Sequence, residues 1–169
     1  MHRDTTYRVS ALSGWPVTEL LQARTRSAAT VKELVRLWHS SHSAPAGFRL
    51  AFLLMDGGDT IGVSTWGRPV ARMEDQKTTL EHTRMALGPG CPANSASWFL
   101  AANRRVIRGE MPEIVRLIAY VDGSIHSGVS YRADNWREVA RAVPTNSWET
   151  REGRSGRPCA LRVKFERRP

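Results

Sequence analysis

The chain has 169 residues, 41% of them hydrophobic, and its 25 lysines and arginines outnumber 16 aspartates and glutamates for a formal net charge of +9. That length suits one domain, residues 1–169, with a single sizeable core, and no apolar run approaches the ~20 residues of a membrane-spanning helix. The opening MHRDTTYRVSALSG lacks the pattern of a signal peptide, and Cys91 and Cys159 alone make neither a disulfide framework nor a zinc ribbon, so a cytoplasmic protein with reduced thiols and no membrane partner is expected.

Taken in chain order, TYRVSAL reads as a first strand. GWPVTELLQARTRSAATVKELVRLWHSSH reads as helix, break, helix, with Thr30 and Glu33 at capping-box spacing. Val31, Leu34, Val35 and Trp38 repeat at helical spacing, which predicts an inward face. FRLAFLLMD and TIGVSTWGRP predict two strands joined by a tight turn at Asp56–Asp59. RMEDQ is a polar link, and KTTLEHTRMAL is a further strand. The next helix places Ala96, Phe99, Leu100, Asn103 and Ile107 on one stripe. IVRLIAYVD has the continuous apolar character of a central strand. GSIHSGVSYRADNW predicts a loop with a short helix, and REVARAVPTNSWET and LRVKFERR are the last strands. This order fits a single α+β sheet domain.

The basic residues are clustered. From Arg151 to the end, seven basic residues face two acidic ones, Arg104, Arg105 and Arg108 form a second group, and Arg68 and Arg72 flank a turn. Such clusters suit either a solvated surface or nucleic acid, whose phosphates give sequence-independent affinity. The junction ALGPGCPANS runs from a strand into a helix start, where unpaired amides can seat an anion or form an ordinary turn.

From about His39 to Trp148 the ordered series WHSSHSAPAG, GVSTWGRPVAR, TLEHTR, NSASWFLAANRR, LIAYVDGSIHSGVSYRADNW and SWETREGR resembles the Mom family of phage DNA-modification proteins. That family is similar in fold to the GNAT acyltransferase superfamily, which implies a mixed, mostly antiparallel central sheet flanked by helices. The family's namesake adds a carbamoylmethyl group to the exocyclic amine of adenine in phage DNA and so protects it from restriction. The resemblance implies a transferase working on DNA in the cytoplasm of a bacterial host, moving a small acyl- or glycine-derived group to an exocyclic base amine. The alternatives are an acyl-coenzyme A-dependent N-acyltransferase acting on a small amine or protein, and a non-catalytic DNA-binding relative.

The same resemblance assigns candidate roles. Gly88, Gly90, Asn94 and Ser95 would line the seat of an acyl-coenzyme A pyrophosphate, although the loop is one residue longer than the superfamily signature and Pro89 and Pro92 remove donors. Arg84 falls at a functional arginine able to hold a carboxylate or phosphate, or else pairs with Glu81. Asp122, ending a buried strand, would accept a proton or cap a turn, and Tyr131 would orient or protonate a leaving group or pack in the core. His39 and Ser97 match family positions at the cleft, and Cys91 lies in the same loop. An iron site of two histidines and one carboxylate can be drawn from His39, His126 and Asp122, without ligand spacing to support it. Modifying a paired base requires its extrusion from double-stranded DNA. Trp66, Trp98, Tyr120 and Tyr131 are candidates for the aromatic clamp, and Arg68, Arg72, Arg104, Arg105, Arg154 and Arg157 for the cationic rim. Trp66 would equally fold onto the sheet.

Overall fold

An eight-stranded sheet organises the computed structural model, which describes residues 5–8, 19–23, 28–56, 58–143 and 161–169. Its strands are β1 (Thr5–Arg8), β2 (Glu19–Ala23), β3 (Leu50–Asp56), β4 (Asp59–Gly67), β5 (Thr79–Leu87), β6 (Arg116–Asp122), β7 (Arg137–Ala142) and β8 (Arg162–Arg167). The helices are α1 (Ala28–Trp38), α2 (Ser95–Glu110) and α3 (Val129–Ala133). Across the sheet the order is β1-β2-β3-β4-β5-β6-β8-β7. Every neighbouring pair is antiparallel except β5 and β6, which α2 connects as a parallel pair.

Two expectations are corrected. ELLQA forms β2, not a helix, although all five residues are tolerated in helices. Five residues are too few for a stable isolated helix, whereas as a strand their backbone pairs with β1 on one side and β3 on the other. Thr30 and Glu33 do not form a capping box, because α1 already begins at Ala28 and both lie inside it. The remaining elements fall where the periodicity places them, with the β3–β4 hairpin turning between Asp56 and Asp59.

The sheet buries both faces, so β3 is apolar at consecutive positions. Phe52 and Leu54 join a large core with Leu80, Phe99, Leu100, Ile107, Leu117 and Phe165. Ala51 and Leu53 join a smaller one with Val31 and Val35 of α1. Each such side chain contributes roughly 1.5–3 kcal/mol by leaving water. On α2 the buried stripe holds Phe99, Leu100, Asn103 and Ile107 as its spacing predicts.

The site is set by how β5 and β6 part. They pair only where Thr79–His82 meets Arg116–Ala119, yet β5 runs on to Leu87 and β6 to Asp122. The β4–β5 register slips between Thr65 and Trp66, where Thr65 faces Arg84 and Trp66 faces His82. One extra residue in β5 changes which face its side chains take. Leu80 therefore shares the large core with Met85 and Leu87, while Ala86 packs with α1. Meanwhile β6 stays zipped to β8 through Asp122 and Arg162, so a seam opens beyond His82.

Candidate active site at the open seam

A buried polar chain runs through the large core to this seam. Asn103 Nδ2 donates to Ser64 Oγ at 2.8 Å, Ser64 Oγ meets His82 Nε2 at 3.1 Å, and His82 Nδ1 meets the Tyr131 hydroxyl at 2.7 Å. Asn103, Ser64 and His82 are buried, so these bonds replace water. Burial holds His82 neutral, its pKa lowered to about 3. Asn103 donates to Ser64, and the Ser64–His82 and His82–Tyr131 bonds complete the chain, their donors set by the tautomer of the ring. Tyr131 stacks on Phe165 at 5.2 Å and meets Trp136 edge-on at 5.3 Å, which fixes its ring. Burial, and secondarily the Glu81 charge, raise its pKa, so it is a protonated phenol.

Next to His82 on β5, with its side chain on the opposite face of the sheet, lies Glu81, a residue the sequence reading named only as a possible partner of Arg84. It is 6% exposed, and its Oε2 accepts the Val70 amide at 2.7 Å. Burial raises its pKa above the ordinary carboxylate value, against the pull of the Val70 hydrogen bond, Arg84 and Arg162. Glu81 lines a groove of about 600 Å³ with Phe48, Arg49, Arg68, Val70, Thr83 and Arg84. The signal that could have found it is a carboxylate inside an apolar strand, in TLEHTR.

His39, at the end of α1, stands near His82, Arg84 and His126. Burial, with the nearby Arg84 charge, lowers its pKa to about 4. Its Nδ1 accepts the Ser41 amide at 3.1 Å and faces the Ser41 hydroxyl at 2.9 Å. The neutral ring therefore carries its hydrogen on Nε2, as a donor and not a base. Ser40 reaches His126 Nε2 at 3.0 Å and links the loop after α1 to the loop before α3.

The other candidates are spread more widely than one cleft. Arg84 lines the groove, but its Nε donates to the Ser43 carbonyl at 3.0 Å and a terminal nitrogen to the Thr83 carbonyl at 2.6 Å, so it braces the loop after α1. Asp122 stands at the solvent edge, where Oδ1 accepts the Ser124 amide at 3.0 Å and the Ser124 hydroxyl at 2.5 Å. That turn lowers its pKa and makes it a poor base. Ser97 Oγ bonds back to the Asn94 carbonyl at 3.0 Å.

The aromatic clamp and the cationic rim change membership. Trp66 is fully buried and Trp98 is 6% exposed, so neither offers a face to a base. Trp66 instead lies 4.5 Å from the His82 ring. Tyr120 is partly buried, and its hydroxyl donates to Glu74 at 3.3 Å. Arg104 turns inward onto the buried Asp134 at 3.0 Å and leaves the rim. Arg68, Arg72 and Arg105 are exposed. Arg154 and Arg157, with the SWETREGR motif, lie outside the described residues.

The loop before α2 does not fit a two-phosphate cradle for acyl-coenzyme A. The amides of Gly88, Cys91 and Ser95 are spent on Ile61, Gly88 and Pro92 carbonyls, and Pro89 and Pro92 have none. A side chain at Gly88 would meet Trp38 at 3.0 Å, so that face is covered. Ser95 Oγ bonds to the Pro92 carbonyl at 2.7 Å, and Asn94 makes no side-chain cap. Gly90 and Asn94 are exposed and take positive φ, 86° and 66°. Nor do the iron candidates His39, His126 and Asp122 form a metal-binding group. Among the described residues no three His, Cys, Asp or Glu side chains gather as a metal ion needs.

A mixed sheet that parts beside a helix start is the GNAT acetyltransferase fold. The chain superposes on IAA acetyltransferase from Bacillus cereus with a TM-score of 0.59 and 16% identity, over 89% of this chain and 99% of that one. On ribosomal-protein-alanine N-acetyltransferase from Brucella melitensis the values are 0.61 and 12%, over 89% and 99%. An aminoglycoside acetyltransferase in complex with coenzyme A and kanamycin gives 0.60 and 10%, over 88% and 93%. No curated protein matches the chain in sequence. The Mom protein family model matches residues 21–164, and the chain belongs to that family. Family and fold together make it a transferase.

Proposed function

We propose that the protein modifies DNA, transferring a small acyl- or glycine-derived group to an exocyclic base amine, with adenine the expected base. Membership in the Mom family supports this reading, and the observation that carries it is the buried Glu81 carboxylate in an arginine-rimmed groove. A groove of about 600 Å³ has room for an extruded base. Phe48 supplies apolar contact there, and Arg49 and Arg68 supply charge for the phosphates.

In the proposed reaction the base amine attacks the electrophilic carbon of the donor. As the new C–N bond forms, the amine's proton passes to Glu81, whose raised pKa makes it a stronger base than an exposed carboxylate. The bond to the leaving group breaks, and the proton held on Glu81 passes to that group. Asn103, Ser64, His82 and Tyr131 brace β5 from its other face as positioning residues, and the His39 Nε2–H is a fixed donor for developing negative charge.

Nucleoside mass spectrometry of host DNA tests this. Expression of the protein should produce a mass-shifted nucleoside, and Glu81→Gln should abolish it and Tyr131→Phe reduce it while circular dichroism stays native. Unmodified DNA with the native protein, or modification that survives Glu81→Gln, overturns the proposal. Unmodified DNA together with an acylated small amine would point to the conventional acyltransferase.

A further inference from the structure

The loop between β4 and β5 is braced from several sides. The Val70 amide is held by Glu81, and Gln76 Nε2 donates to the carbonyls of Pro69 at 3.0 Å and Glu74 at 3.2 Å. Asp75 accepts the Lys77 amide at 2.8 Å and the Thr78 hydroxyl at 2.5 Å. Glu74 accepts Lys164 Nζ at 2.5 Å, and Arg116 and the Tyr120 hydroxyl besides. These bonds tie the loop's base to β5, β6 and β8. On this fixed frame Val70 is 82% exposed and Met73 is 94% exposed, the two most exposed large apolar residues among those described. Arg68 and Arg72 are exposed between and beside them.

We propose that Val70 and Met73 form a wedge that enters the base stack of duplex DNA beside the base drawn into the Glu81 groove, while Arg68 and Arg72 hold the flanking phosphates. The proposal rests on the reading of the protein as a DNA-modifying enzyme. Val70 and Arg68 line the groove, so the wedge stands at its mouth. Extruding a base leaves an apolar gap and costs stacking, and apolar side chains such as Met, Leu and Ile fill such gaps in other proteins that kink DNA. A polyanion is favoured over a protein partner because the apolar surface is two side chains wide and bordered by arginines on a chain of net charge +9. A stable protein interface buries roughly 1,200–2,000 Å², far more than this tip offers. The same loop also supplies the amide that Glu81 accepts, so wedge and base stand in fixed relation.

The test compares the native protein with Val70→Ser/Met73→Ser and Arg68→Ala/Arg72→Ala. Each is titrated with duplex and single-stranded DNA by fluorescence anisotropy at several salt concentrations. A second duplex carries 2-aminopurine in place of adenines to report unstacking. The serine pair should bind duplex about tenfold more weakly, with single-strand affinity within about twofold and the salt slope unchanged, because apolar insertion needs a stack and releases no counterions. It should also lose the 2-aminopurine signal. The alanine pair should weaken both DNA forms and reduce the salt slope by about two. Exposed side chains carry little stability, so melting temperatures should match. A serine pair that binds and unstacks duplex like the native protein, or that loses both DNA forms equally, overturns the wedge. If the native protein shows no salt-sensitive DNA binding at all, the DNA reading itself fails, and the wedge with it.

Discussion

His82 offers a direct measure of the buried polar chain. It is 3% exposed, and burial lowers its pKa from 6.5 to about 3. The folded protein therefore keeps it neutral at pH values where the unfolded chain binds a proton. The stability this gives is full above about pH 6.5 and is lost as pH falls toward the folded value. At about 1.36 kcal/mol per pH unit, the loss between pH 7 and pH 5 comes to roughly 2 kcal/mol. For a chain of this size that lowers the melting temperature by about 4–8 °C. His39, with its pKa at about 4, acts in the same direction but is only half buried and contributes less. Thermal melts of the native protein and His82→Gln at pH 7, 6 and 5 isolate the effect, since all other titrating groups are common to both. The variant should be less stable at pH 7, having lost the Trp66 contact at 4.5 Å, and the gap should narrow by about 2 kcal/mol at pH 5. A gap that stays constant would mean that His82 is not held neutral.

Two further substitutions test the frame around the seam. Asp134→Ala should cost about 3–5 kcal/mol in chemical denaturation, because it strands Arg104 and the Trp136 indole N–H, now 3.0 and 2.9 Å from the carboxylate. Gly128→Ala should cost about 2–4 kcal/mol and reduce DNA modification. The residue has φ 75°, and a Cβ would lie 2.6 Å from the Phe165 ring on which Tyr131 stacks. Its melting curve and the yield of modified nucleoside report the two effects.

Local pattern carried most of the architecture. The spacing of Val31, Leu34, Val35 and Trp38, the strand-like runs flanking the Asp56–Asp59 turn and the run IVRLIAYV each encode an element, because period and turn chemistry are properties of neighbouring residues. The motif series from His39 to Trp148 carried the family, which the match over residues 21–164 shows. Tertiary structure decided what local pattern leaves open. ELLQA becomes a strand because neighbours on both sides satisfy its backbone. Trp66 goes inside and Val70 and Met73 outside, because a one-residue register slip and a braced loop choose the faces. Asp122, a strand-end carboxylate, is taken up by its own turn. The line from Asn103 to Tyr131 joins residues 18 to 49 positions apart, whose meeting depends on how the sheet folds. Burial and hydrogen-bond partners, which set the chemistry of a carboxylate or an imidazole, are long-range properties that no short stretch of sequence contains.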